Sequence, residues 1–198
     1  MGIVTALVRV EGVPYGLIAN STHHLGGAID AEAADKTGDF LVLCESFGLP
    51  VISLCDTPGF MVGPDAETQA AVRRFGRMFV LGARLTVPLG MIILRKAYGL
   101  GAMAMAGGSF RAPQFTIAWP TGEIGGMGLE GAVRLGYSKE LAAAENSGDP
   151  AERQNLFDRL VAAAYEHGKA LRAATTFELD DVIDPSASRA WITRLSGG

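Results

Sequence analysis

Glycine is where this sequence departs furthest from an ordinary globular chain, with 26 of its 198 residues against an average of roughly 7%. Much of the excess clusters just beyond apolar runs. The stretch Gly99-Leu100-Gly101-Ala102 follows the strand-like run 87–94, and small residues there would uncover backbone N–H groups ahead of a helix. Amides fixed in place and aimed at a developing oxyanion contribute about 3 to 4 kcal/mol per donor to a transition state. A second turn of this type, Asp56-Thr57-Pro58-Gly59-Phe60, follows the run 51–55; proline fixes φ, and glycine permits a backbone shape suited to close approach of a ligand. A third segment, 20–27, carries His23, His24, Gly26 and Gly27 before a helix and could receive an anion through its amides. No G-x-S-x-G elbow, P-loop or spaced metal-ligand set accompanies these turns. The chemistry to expect is therefore oxyanion stabilisation by main chain, without a metal or a side-chain nucleophile.

The titratable side chains support this in part. Glu123 and Glu130 invite comparison with paired carboxylates used for acid/base work, although loop and cap roles are the simpler reading. Asp56 is expected to orient a loop N–H or to cap, rather than to act as a base. Lys96 reads as a surface charge, and His167 as solvated or packed within a helix. Adjacent histidines diverge in direction, so His23 and His24 are not expected to share a metal. Cys44 and Cys55, lacking any C-x-x-C pairing, are expected to be buried thiols.

Composition narrows the classes. The 17 basic and 21 acidic residues give a net charge of −4, with no basic stripe to meet a phosphate backbone, so nucleic acid is not an expected partner. No apolar run reaches the roughly 18 residues of a membrane span, and the opening residues carry neither a basic n-region nor a small-residue cleavage site. A cytoplasmic location without membrane contact is expected.

These turns need a scaffold of alternating strands and helices. The runs 3–10 and 15–19, separated by Glu11-Gly12-Val13-Pro14, predict a hairpin. Apolar residues at three- and four-residue steps predict a helix over 28–47, ended by Gly48 and Pro50. A buried strand is expected over 51–55, then a helix over 66–84 capped by Asp65, with Val72, Phe75, Phe79 and Gly82 on one face and Gly76 and Gly82 allowing close packing. Further strands are expected at 87–94 and 115–119, a helix start within 102–108, a long helix at 151–174 and a short one from Trp191 to Leu195. Strands and helices in alternation, with glycine at the strand ends, predict a single α/β layered domain whose ligand site lies at those ends.

The segments Asp56-Thr57-Pro58-Gly59-Phe60, Arg95-Lys96-Ala97-Tyr98-Gly99, Ala118-Trp119-Pro120-Thr121 and Asp180-Asp181-Val182-Ile183-Asp184-Pro185 occur in register along almost the whole chain. In that order they resemble the biotin-dependent acyl-CoA carboxyltransferases, including the β subunits of propionyl-CoA and related acyl-CoA carboxylases. The resemblance implies a crotonase-like ββα spiral with flanking helices, and residues 1–198 as one carboxyltransferase C-terminal domain. The family's N-terminal half is expected to be absent and to come from elsewhere. It further implies carboxybiotin on a carrier protein as cofactor, an acyl-CoA as substrate, and a biotin carboxyl carrier protein or biotin carboxylase subunit as partner. Sites shared between subunits imply a homo-oligomer. Carboxyl transfer would then need two oxyanions stabilised, a ureido oxygen and a thioester enolate, with the ureido group itself serving as the base.

By the same resemblance, Gly99, Leu100, Gly101 and Ala102 match the hole for the biotin carbonyl, the donors being either Leu100 with Gly101 or Gly101 with Ala102. Pro58, Gly59 and Phe60 would line the biotin and acyl-CoA channel, with Phe60 as a wall for the biotin ring. Met103 or Ala104 stands where propionyl-type members carry an aspartate, which implies a more apolar acyl pocket and longer or branched acyl groups. Two other functions fit the same residues: a crotonase-like hydratase, isomerase or decarboxylase without biotin, and a non-catalytic assembly module built on the small-residue helix faces.

Overall fold

The computed structural model describes residues 2–146 and 150–197. Strands β1 (Ile3–Val10) and β2 (Val13–Asn20) form the expected hairpin. Its loop is shorter than the sequence suggested: only Glu11 and Gly12 lie outside the strands, both at positive φ (50° and 85°), which matches the right-handed twist of the ribbon. Helix α1 (Ala31–Ser46) starts at Asp30, whose carboxylate accepts the Ala33 N–H at 2.8 Å. It is followed by Gly48 at φ 63°.

Strands β3 (Val51–Thr57), β4 (Leu89–Tyr98), β5 (Phe115–Ala118) and β7 (Asp181–Val182) continue the sheet in the order β1-β2-β3-β4-β5-β7, and β6 (Glu123–Gly125) pairs with the far end of β4. Among the described residues every strand-to-strand pairing after the hairpin is parallel. Both faces of the sheet are covered, which is why its strands read as continuous apolar runs. Alternate residues such as Val51, Cys55, Met91 and Ile93 join the core beneath α1 and its neighbours. Ile52, Ile92 and Ile117 point to the other face, where they meet the C-terminal segment. There Trp191, on helix α9 (Ser188–Ile192), packs edge-on to Phe115 with ring centroids 5.3 Å apart. Cys44 and Cys55 are both buried free thiols; burial pushes Cys44 up to about 11 and Cys55 higher still.

Four expected elements are divided or shifted. The helix expected over 66–84 is two: α2 (Pro64–Thr68), preceded by Gly63 rather than capped by Asp65, and α3 (Ala71–Arg84), with Ala70 at φ 54° between them. The buried stripe of α3 is Ala71, Phe75 and Met78, leaving Val72 77% exposed. Gly82 does make a close approach, since a Cβ there would stand 2.5 Å from the Gly107 carbonyl oxygen, whereas Gly76 has open space around it. Strand β4 runs on through Lys96, Ala97 and Tyr98, because β6 gives that end a partner, so helix α4 (Gly99–Met105) begins at Gly99 itself.

The helix expected over 151–174 is interrupted. Helix α7 (Pro150–Gly168) gives way at Lys169, which is extended and bridges to Glu123, before α8 (Ala170–Thr175). Two helices of eight residues each, α5 (Leu129–Gly136) and α6 (Ser138–Glu145), stand between β6 and α7 where none is expected from the sequence. Among the described residues no helix is long and apolar enough to cross a membrane.

Candidate active site

Parallel pairing places the carboxyl ends of β2, β3 and β4 on one edge of the sheet, where ligands of open α/β folds bind. The three glycine-bearing turns singled out above all leave from that edge. Thr57 opposes Ala97 across β3 and β4, so the turn after Thr57 and the start of α4 lie side by side.

The β3 turn is held by its own residues. The buried Thr57 hydroxyl accepts the Gly59 N–H at 3.1 Å and lies 3.2 Å from the Gly59 carbonyl oxygen. Gly59 has φ 119°. Its carbonyl accepts the Ile29 N–H at 3.0 Å, and Met61 donates back to the Ile29 carbonyl at 2.8 Å. Asp56 accepts the Lys96 N–H at 3.2 Å and pairs with Arg95; it orients backbone, as expected.

Gly99 and Gly101 are glycine for steric reasons. Gly99 has φ 59°, and a Cβ on it would stand 2.8 Å from the Gly126 carbonyl oxygen. A Cβ on Gly101 would stand 2.7 Å from the Gly59 carbonyl carbon and 2.8 Å from the Phe60 nitrogen. Helix α4 has Tyr98 at its N-cap and no side chain bonded to its first amides. In any α-helix the amides of the first turn have no partner four residues back, which here means Gly99, Leu100 and Gly101. Ala102 is the first whose N–H meets the N-cap carbonyl by helix geometry. The positive end of the helix dipole adds to whatever those amides offer an anion.

Gly99, Leu100 and Met103 line a cleft of about 640 Å³ together with Phe110, Arg111, Gly126 and others. Gly101, Ala102 and Ala104 are buried beneath it. Pro58 and Gly59 form the adjoining turn. Phe60 stacks on Phe75, with centroids 4.2 Å apart and planes 15° from parallel. Gly26 is tied to the site by its carbonyl, which accepts from Lys96 Nζ at 2.7 Å. Gly27 is packed beneath the Asp56 carbonyl, and its N–H is spent on the His24 carbonyl at 2.9 Å, so that amide is not free for an anion. His24 Nε2 meets Asp30 at 2.7 Å, and no group of three or more metal-ligating side chains occurs among the described residues.

The two glutamates are both bound by tyrosines. Tyr98 donates its phenol to Glu123 at 2.7 Å, and Tyr165 to Glu130 at 2.8 Å. Burial, then the Glu123 carboxylate, pushes the Tyr98 phenol far up. The hydrogen bond to Glu130 takes Tyr165 up to about 12 and holds Glu130 below the usual carboxylate range. The Tyr98 to Glu123 bond joins the end of β4 to β6 next to the first amides of α4. Sequence reasoning missed this pair, and missed Arg111 and Glu178 on the cleft wall. Nothing in their spacing signals it, because the partners come from elements far apart in the chain.

The carboxyl transferase domain family matches residues 1–195. The chain belongs to that family. Among relatives with this domain, the biotin-dependent acetyl-/propionyl-coenzyme A carboxylase beta5 subunit of Mycobacterium tuberculosis is 34% identical over 195 residues, covering 96% of this chain and 34% of that one. Two solved structures are similar throughout. A single-chain, multi-domain long-chain acyl-CoA carboxylase shares 91% identity at a TM-score of 0.88, over 98% of this chain and 18% of that one. The transcarboxylase 12S hexamer, with methylmalonyl-coenzyme A and methylmalonic acid bound, shares 32% identity at 0.85, over 98% and 36%. With such neighbours the crotonase-like α/β fold expected from the motifs holds for this carboxyl transferase domain. The chain spans about a third of the length of the curated relatives it matches.

Proposed function

We propose that this chain is the biotin-side, C-terminal half of a carboxyltransferase that moves a carboxyl group from carboxybiotin to a long-chain acyl-CoA. The observation that carries the reading is the start of α4. There, in a carboxyl transferase domain, uncapped amides stand at the edge of a cleft of about 640 Å³. Of the two donor pairs left open by the motif, Leu100 with Gly101 fits best, because helix geometry commits the Ala102 N–H to the Tyr98 carbonyl. Carboxybiotin, when bound, would supply the carboxyl group and carry negative charge on its ureido oxygen as that group departs. The Leu100 and Gly101 amides would stabilise that charge without moving, since Gly59, Gly126 and the Tyr98 to Glu123 bond fix the helix start. The acyl group is inferred from the 91% identical long-chain acyl-CoA carboxylase, and from the apolar Met103 or Ala104 standing where propionyl-type members carry an aspartate, Met103 being on the cleft wall.

A complementary N-terminal half, on the same polypeptide or another, and a biotin carrier with its carboxylase would complete the enzyme. The 12S structure, a hexamer, supports assembly from several copies. The test mixes the chain with its N-terminal half and follows decarboxylation of malonyl-type CoA esters with and without free biotin. Biotin-dependent decarboxylation is expected in the mixture. None, with both parts folded, would overturn the reading.

A further inference from the structure

Leu100 faces two spaces. On one side is the cleft that holds Gly99 and Met103; on the other is a second cavity of about 350 Å³ between the β3 turn and α3, and among the described residues Leu100 alone lines both. The second cavity is apolar in composition: Glu67 alone carries a charge among the residues around it. Its deep wall is the stacked pair Phe60 and Phe75 with Phe79 beside them, ring centroids of Phe60 and Phe79 being 6.2 Å apart. Around the mouth stand Val62, Val72 and Leu100, exposed by 81%, 77% and 63%. Single exposed apolar side chains are ordinary. Several gathered at the mouth of one apolar cavity mark a place that something apolar occupies.

We propose that this cavity receives the hydrocarbon tail of the acyl-CoA. The inference rests on the long-chain carboxyltransferase reading above. It places the thioester in the wider cleft, beside the ureido group at the Leu100 and Gly101 amides, and runs the chain past the Leu100 side chain toward Phe75 and Phe79, leaving that cleft, with Arg111 and Glu178 on its wall, to the polar part of the reaction. The volume falls at the lower end of ordinary ligand pockets, about 300 to 1,000 Å³. Each methylene taken out of water there adds roughly fourfold to affinity, so the cavity would set chain-length preference.

Gly76 offers a clean probe. It lines the cavity, and nothing stands within 4 Å of where its Cβ would go, so Gly76→Leu adds bulk at the cavity edge without displacing backbone. Val72→Asp places a charge at the mouth on a residue already in solvent, which keeps the experiment informative if the first variant folds poorly. Binding of cis-parinaric acid, a fluorescent long-chain fatty acid, is measured on the chain, with palmitoyl-CoA, acetyl-CoA and free biotin as competitors. Saturable binding displaced by palmitoyl-CoA alone is expected, weakened roughly tenfold or more by either variant.

Displacement by free biotin would assign the cavity to biotin and overturn the proposal. So would unchanged binding in both variants, or no probe binding. A Val72→Asp variant that changes particle mass but not probe affinity would assign the face to a second copy of the chain. The probe requires no carboxyl transfer, so the two ideas fail separately. Probe binding without biotin-dependent decarboxylation sinks the enzymatic reading; decarboxylation without probe binding sinks the cavity assignment alone.

Discussion

At Gly101 a single hydrogen in place of a methyl group lets the ends of β3 and β4 sit together. A methyl there would press on the Gly59 carbonyl carbon and the Phe60 nitrogen at 2.7 and 2.8 Å, which are main-chain atoms that no side-chain rotation can relieve. Gly101→Ala is therefore expected to destabilise the chain by about 1 to 3 kcal/mol. By displacing a donor amide it should also lower biotin-dependent turnover in the reconstituted enzyme by about a hundredfold. Gly126→Ala is the control: nothing stands within 4 Å of its Cβ position, and its stability should stay within about 0.5 kcal/mol of the original. Denaturant unfolding of the two variants checks the first expectation, and turnover under saturating biotin the second. The glycines of the site were legible in the sequence because only a few residue types tolerate such turns. The tyrosine partners of Glu123 and Glu130 were not, since a hydrogen bond between side chains 25 or 35 residues apart leaves no local trace.

Helices here report their ends and their contacts separately. Burial works to raise the Asp30 carboxyl, but the Ala33 N–H and then His24 outweigh it and hold the group below its ordinary 3.8. A carboxylate depressed in the folded state contributes stability that is present above its unfolded pKa and lost as pH falls through the folded one. Asp30→Ala should therefore cost about 1 kcal/mol at neutral pH, as for other N-caps. The gap from the original should close as the pH falls below the ordinary aspartate range, which thermal unfolding from pH 7 down to acid would show. Along α3 the two glycines part company. Gly82→Ala meets the Gly107 backbone and should destabilise by about 1 to 3 kcal/mol. Gly76→Ala meets nothing and should stabilise by up to about 1 kcal/mol through helix propensity. Equal effects in unfolding experiments would contradict the packing described. The strands anticipated at the centre of the sheet were readable because their middle residues are apolar and buried on both faces, whereas the short, partly polar β6 and β7 and the Arg95–Tyr98 end of β4 were not. The break at Lys169 was not readable, because it answers to something outside its own helix, the bridge to Glu123; nor was the one at Ala70, an alanine at φ 54° that its residue type does not announce.

For the molecule as a whole, the decisive fact is that one of the two candidate donors, Leu100, stands at an open edge, with Gly101 buried beneath it. Leu100 is 63% exposed, and water at that edge would compete for the amides and weaken every electrostatic interaction with a charged group. Preorganised amides reach their full value only where solvent is excluded, and the described residues form a cleft without a roof over it. On the proposed function, a covering surface would come from an N-terminal half or a second copy. Catalysis and association should then rise together. In a titration of the chain with its N-terminal half, biotin-dependent decarboxylation should be near zero for the chain alone and should saturate as the half is added. The particle mass from light scattering should climb over the same concentration range. Full activity in a particle with the mass of one chain would mean that the edge at Leu100 needs no cover, and that donor amides in contact with bulk water are enough.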